Sequence, residues 1–136
     1  MPSQELKPGI VCEEVFRVGE EHAARVLGSG EVDVLSTPSM ILFMESVAMG
    51  CVKRYLSPGE TTVGVKVCVE HKAPAPIGAE VKVRARLIEV RGRRLVFEVK
   101  AFWQGIEIGS GTHERYVVDE QRFLEKVRAL AQRRSP

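Results

Sequence analysis

The chain has 136 residues, 44% of them hydrophobic and 28% charged, which suits one soluble globular domain that buries about two-thirds of its unfolded surface without a metal or disulfide staple. A formal net charge of +2 is too small to point to nucleic acid: Arg84, Arg86, Arg91, Arg93 and Arg94 cluster, but Glu80, Glu89 and Glu98 dilute them, and phosphates of a small ligand are partner enough. Cys12, Cys51 and Cys68 cannot all pair within the chain and show no CxxC spacing, which reads as reduced thiols in a cytoplasmic protein, and the N-terminus shows no secretory signal.

Residues 10 to 27 mix β-branched and charged positions and predict one or two short strands, followed by a loop at Gly28, Gly30 and Asp33. Ser36 or Thr37 can cap the next element by accepting a backbone N–H bond, and Pro38 suits a first helical turn, where its missing N–H costs nothing. That element, Thr37 to Val52 (TPSMILFMESVAMGCV), reads as a buried helix with one charge, Glu45. Ile41, Leu42, Ala48 and Met49 share its face, so the spacing predicts a carboxylate withdrawn from water. Such a group costs several kcal/mol, roughly, unless partners satisfy it, and perturbed carboxylates concentrate at active sites. The run is shorter than the roughly 20 apolar residues of a membrane span. Leu56-Ser57-Pro58-Gly59 ends it.

From Gly59 the period changes to two. Val63, Val65, Val67 and Val69 are expected on one face of a strand, with Lys66 and Glu70 opposite and His71 in phase with the valines. After Pro74, Pro76 and Gly78, Val81, Val83, Ala85 and Leu87 alternate with Lys82, Arg84 and Arg86 as a half-buried strand. Arg91-Gly92 and Gln104-Gly105 mark hairpin turns around Leu95 to Trp103 and before Ile106 to Val118. Asp119 to Gln132 spaces Phe123, Val127 and Leu130 for a terminal helix. The whole is α+β, one domain over residues 1–136, in which consecutive antiparallel strands wrap a long apolar helix and bury it on most sides. Gly109, Gly111, His113 and Arg115 alternate onto one strand face; the glycines leave room there for a slender ligand arm, Arg115 can pair with a phosphate or carboxylate, and His113 reads as structural. His22, His71 and His113 lack metal-ligand spacing, so no metal site is expected, and Cys51 and Cys68 read as thiols without function.

Thr37, Glu45 and His71, eight and twenty-six residues apart, with TVGVKVCVEH over Thr62 to His71 and EIGSGTHER over Glu107 to Arg115, resemble the hotdog-fold acyl-CoA thioesterases, and the fluoroacetyl-CoA thioesterase subgroup in particular. The similarity runs over roughly residues 10 to 130. It implies a hotdog fold, an acyl-CoA substrate hydrolysed to free acid and coenzyme A, no cofactor, and a homodimer whose sheets pair edge to edge with the sites between subunits. It also implies that Thr37, Glu45 and His71 are catalytic and that the backbone N–H of Gly64 faces the thioester oxygen. The subgroup carries phenylalanines in the loop before the helix; here Gly28 to Leu35 reads GSGEVDVL, which favours a plainer acyl group over fluoroacetyl.

Thioester hydrolysis needs a nucleophile, a proton acceptor and donors for an oxyanion. Glu45 can act as general base for water or attack directly, His71 can bond the carboxylate or the leaving sulfur and carry a proton, and Thr37 can orient either through its hydroxyl. A non-catalytic acyl-CoA sensor or carrier of the same fold is the alternative. A hydratase is a third reading, but no aspartate-to-histidine hydratase pattern is present.

Overall fold

The computed structural model describes residues 5–134. Strand β1 (Val11–Arg17) leads through a 3-10 turn (Glu20–His22) and the one-turn helix α1 (Ala24–Leu27) to helix α2 (Thr37–Val52). A second 3-10 turn (Lys53–Tyr55) precedes β2 (Glu60–His71), β3 (Glu80–Arg91), β4 (Arg94–Trp103) and β5 (Ile106–Asp119), and helix α3 (Glu120–Arg134) ends the described chain. The strands form one antiparallel sheet in the order β1-β3-β4-β5-β2.

Two features differ from the periodic reading. The segment after β1 turns helical instead of forming a second strand, and β2 lies at the far edge beyond β5 rather than beside β3. The connection from β2 to β3 explains the second point. Leu35 donates its N–H to the Ala75 carbonyl and Val34 bridges Pro76, so this proline-broken segment is pinned to the loop before α2 and carries the chain from one sheet edge towards the other.

Helix α2 packs across one face of the sheet, touching all five strands. Met40, Phe43, Met44 and Val47 are buried in one cluster with Val81, Val83, Leu87, Phe97 and Val99; each such side chain contributes about 1.5–3 kcal/mol on leaving water. The sheet does not bury the helix on most sides, however. Leu42 and Met49 stay 55% and 43% exposed, so the stripe that carries Glu45 faces away from the core. One sheet covers one side of a cylinder, and the opposite stripe needs another surface.

The expectation of reduced thiols is also corrected: Cys12 and Cys51 form a disulfide, with Cα atoms 5.6 Å apart. Strand β1 packs against α2, which sets residues 39 positions apart in sequence side by side, a proximity that spacing motifs do not encode. Disulfides are uncommon in cytosolic proteins, so cysteine usage no longer points to a reducing compartment. Cys68 is free and exposed. No described helix is long and apolar enough to cross a membrane.

Candidate active site

The cap of α2 decides what Thr37 is free to do. Ser36 accepts the Ser39 N–H at 3.0 Å and is the N-cap, which satisfies one of the orphan donors of the first turn. The Thr37 hydroxyl, released from that task, lies 2.8 Å from His71 Nδ1. His71 Nε2 is buried and has no hydrogen-bond partner among the described residues. Burial pushes the His71 pKa below the ordinary histidine value, against a smaller opposing effect of the Ala73 backbone, so the neutral imidazole is favoured. Beside this pair opens a cleft of about 370 Å³ whose lining includes Ser29, Gly30, Val32, Leu35 and Ala73. Residues 28–35 supply no aromatic ring to it.

Glu45 belongs to a second group. A β-carbon built on Gly64 would lie 3.0 Å from Glu45 Oε2, 3.3 Å from Arg115 Nη1 and 3.4 Å from His113 Cε1. A side chain at position 64 would press on the ends of Glu45, Arg115 and His113, which would have to give by a few tenths of an ångström, so the glycine serves close approach and not backbone conformation, which is not left-handed there. Arg115 is buried; its Nε donates to Thr62 Oγ1 at 2.8 Å and Nη2 to the Thr62 carbonyl at 3.0 Å. His113, also buried, donates from Nδ1 to the Lys66 carbonyl (2.9 Å), which leaves Nε2 to accept from Arg115 Nη1 (3.2 Å). Desolvation lowers the Arg115 pKa while the Glu45 charge raises it. Neither oxygen of Glu45 accepts a hydrogen bond among the described residues.

A single irregularity puts both groups on one face. Gly64 and His71 are seven residues apart, an odd spacing that a regular strand would send to opposite faces. The pairing of β2 with β5 shifts between Gly64 and Lys66, and a bulge there absorbs one residue. Gly64 then pairs with Arg115, Val67 with His113, Val69 with Gly111 and His71 with Gly109, so all face α2. The expected run of four valines on one face is split by this bulge.

Within one chain Glu45 and His71 are not brought together. Thr37 and Glu45 are about 12 Å apart along the helix axis, and Gly64 and His71 are some 20 Å or more apart along β2. The glycines of β5 leave no space for a ligand arm either. A β-carbon on Gly109 would collide with Met40 Sδ, and one on Gly111 with the Cys68 carbonyl. The guanidinium of Arg115 is turned to Thr62 and His113 rather than outwards. Thr62 went unnoticed in the sequence, where a threonine in a strand carries no signal of an arginine fifty-three residues later.

A five-stranded antiparallel sheet laid against a central helix is the hotdog architecture. A hot-dog-like protein from Thermanaerovibrio acidaminovorans superposes with a TM-score of 0.84 over 95% of this chain and 93% of that one, at 24% identity. The fluoroacetyl-CoA thioesterase FlK does so with a TM-score of 0.87, at 36% identity, over 98% of this chain and 100% of that structure. The fluoroacetyl-CoA thioesterase of Streptantibioticus cattleyicolor is 44% identical over 96 residues, 71% of this chain and 69% of its own length. The profile of the fluoroacetyl-CoA-specific thioesterase family matches residues 18–121. The chain belongs to that family.

Proposed function

We propose that this chain is an acyl-CoA thioester hydrolase that works as a homodimer, with each site made of Glu45 and Gly64 of one subunit and Thr37 and His71 of the other. The observation that carries this reading is a pair of incomplete half-sites, a buried imidazole nitrogen without a partner and a carboxylate without a hydrogen bond, that one two-fold axis would join. Strand β2 is an edge, and it exposes Val65 and Val67. Leu42 and Met49 flank Glu45 on the uncovered stripe of α2. An unpaired edge next to an apolar stripe is a surface that native proteins cover. Antiparallel pairing of two β2 strands about an axis at Cys68, with the bulge absorbing one residue of each strand, sets Gly64 opposite His71 of the partner subunit. The same axis near Ile41 sets Glu45 beside Thr37 of the partner subunit.

In such a site Glu45 takes a proton from water as it attacks the thioester carbon, or attacks that carbon itself to give a mixed anhydride that a water then cleaves to free acid and the restored carboxylate. The C–S bond breaks, and the neutral His71 ring, oriented by Thr37, donates a hydrogen bond from Nε2–H to the departing thiolate, which takes up the proton that Glu45 removed from water. Arg115, fixed by Thr62 and His113, holds a positive charge near Glu45. Gly64 lets the acyl carbon come close, and backbone N–H groups there or at the start of α2 serve the oxyanion. The cleft beside His71 is lined by small, aliphatic and polar residues, Lys72 among them, and by no phenylalanine, which suits a small unsubstituted acyl group over fluoroacetyl selectivity. An acyl-CoA substrate supports a cytoplasmic location, in which the Cys12–Cys51 bond would meet a reducing pool.

Subunit complementation tests the composite site. Glu45→Ala and His71→Ala dimers are each expected to release almost no thiol from acyl-CoA. Mixed after reversible dissociation, they form heterodimers with one intact site, and about a quarter of wild-type activity returns. Two inactive parents whose mixture stays inactive would confine each site to one chain. Tight acyl-CoA binding by the wild type with no thiol release would make the protein a carrier.

A further inference from the structure

Where β5 passes into α3, the sheet and the helix enclose a cleft of about 320 Å³ whose lining includes Arg93, Tyr116, Asp119, Arg122, Phe123 and Lys126. Most arginines of the sheet are matched to acids: Arg84 to Glu13, Arg86 to Glu98 and Arg94 to Glu114. In this cleft the pattern changes. Arg93 contacts Glu60 and the Val117 carbonyl through Nη1 alone, which leaves its other N–H donors available. The side chains of Arg122 and Lys126 have no hydrogen bond or ion pair among the described residues. They stand four residues apart on α3, where like charges repel, and an anion between them removes that cost. The cleft's one acid, Asp119, is engaged as the cap of α3, its Oδ1 accepting the Arg122 N–H at 3.0 Å. Tyr116 and Phe123 add two partly exposed rings. Cations able to hold phosphate beside aromatic faces able to stack on a base form the recognition set of a nucleotide.

Its position connects it to the candidate active site. Tyr116 follows Arg115 in β5 and pairs with Val63, next to Gly64, so the cleft opens on the opposite face of the strands that carry Gly64 and Arg115, and a carrier arm would reach it round the strand ends at Glu60 and Asp119. From this we infer that the cleft between β5 and α3 binds the phosphorylated adenine nucleotide at the far end of the coenzyme A carrier. The inference rests on the acyl-CoA reading above and adds where the carrier is held. Helix α3, exposed from Glu120 to Arg133 and almost entirely beyond the residues matched by the family profile, thereby acquires a binding role.

The test uses Arg122→Ala combined with Lys126→Ala, two exposed positions whose loss leaves the core intact. The KM for a small acyl-CoA is expected to rise at least about tenfold with little change in kcat. For the same acyl group on pantetheine, which lacks the nucleotide, kcat/KM stays as in the wild type. Adenosine 3′,5′-bisphosphate is expected to bind the wild type by calorimetry, to compete with acyl-CoA, and to bind the variant at least about tenfold more weakly. An unchanged KM for acyl-CoA, an equal loss with acyl-pantetheine, or nucleotide binding without competition would each overturn the assignment. Calorimetry needs no turnover. Were no thioester hydrolysed at all, the hydrolase reading would fail, while nucleotide binding by wild type and variant would still decide this one.

Discussion

Two histidines face α2 from neighbouring strands, and they differ in what surrounds their nitrogens. His113 has both committed, one to the Lys66 carbonyl and one to Arg115. His71 has one nitrogen on Thr37 and the other buried without a partner. Burial lowers the pKa of both, so electrostatics does not separate them. Unspent hydrogen-bonding capacity does. A buried nitrogen left unpaired costs about 1–3 kcal/mol, a cost that a bound substrate or a partner subunit removes, whereas a fully satisfied ring adds rigidity and has nothing left for chemistry.

The sharpest break of this contrast is substitution. His71→Ala is expected to lower kcat/KM for acyl-CoA by about 10²–10⁴, the usual range for a proton-transfer group, with the melting temperature almost unchanged. A loss of stability equal to that of a core mutant, with activity retained, would return His71 to the structural class. His113→Ala should show the reverse. It leaves a carbonyl and a guanidinium N–H unsatisfied beside Glu45 and costs about 1–3 kcal/mol of stability, read as a lower denaturation midpoint, with a smaller effect on turnover in the folded fraction.

Titration sharpens the same comparison with a smaller effect. Both rings have folded pKa values depressed below the unfolded value of about 6.5. Stability from their neutral forms is therefore present above that value and is lost as pH falls through it towards the folded values. Melting temperature should decline below about pH 6.5, less steeply in His113→Gln. The acid limb of kcat/KM should survive that change and follow His71; a limb that disappears in His113→Gln would assign the ionisation to the wrong ring.

Much of the chain was legible before any coordinates. Helix α2 announced itself by composition and by its serine, threonine and proline start, and β3, β4 and β5 by alternation between hairpin signals. Gln104 and Gly105 both adopt positive φ, at 53° and 76°, as a two-residue mirror-image turn requires. These features are local, and local sterics and periodicity suffice to write them. Thr37, Glu45, Gly64 and His71 were legible as candidates for a different reason, their joint resemblance to a known family. Their grouping was not. Glu45 stands with Gly64, Arg115 and His113, and His71 stands with Thr37, because the helix and strand hold fixed rises over eight and seven residues.

The sequence by itself determined the helix, the strands, their turns and the odd presence of a carboxylate in an apolar run, since each follows from residue types within a few positions. The tertiary structure alone decided that Ser36 and not Thr37 caps α2, that β2 lies at the edge with a bulge that turns Gly64 and His71 to one side, and that Cys12 meets Cys51. Those outcomes depend on which distant segments come to share a surface, and the energy of such contacts is set by packing across the whole domain rather than by any window of the chain.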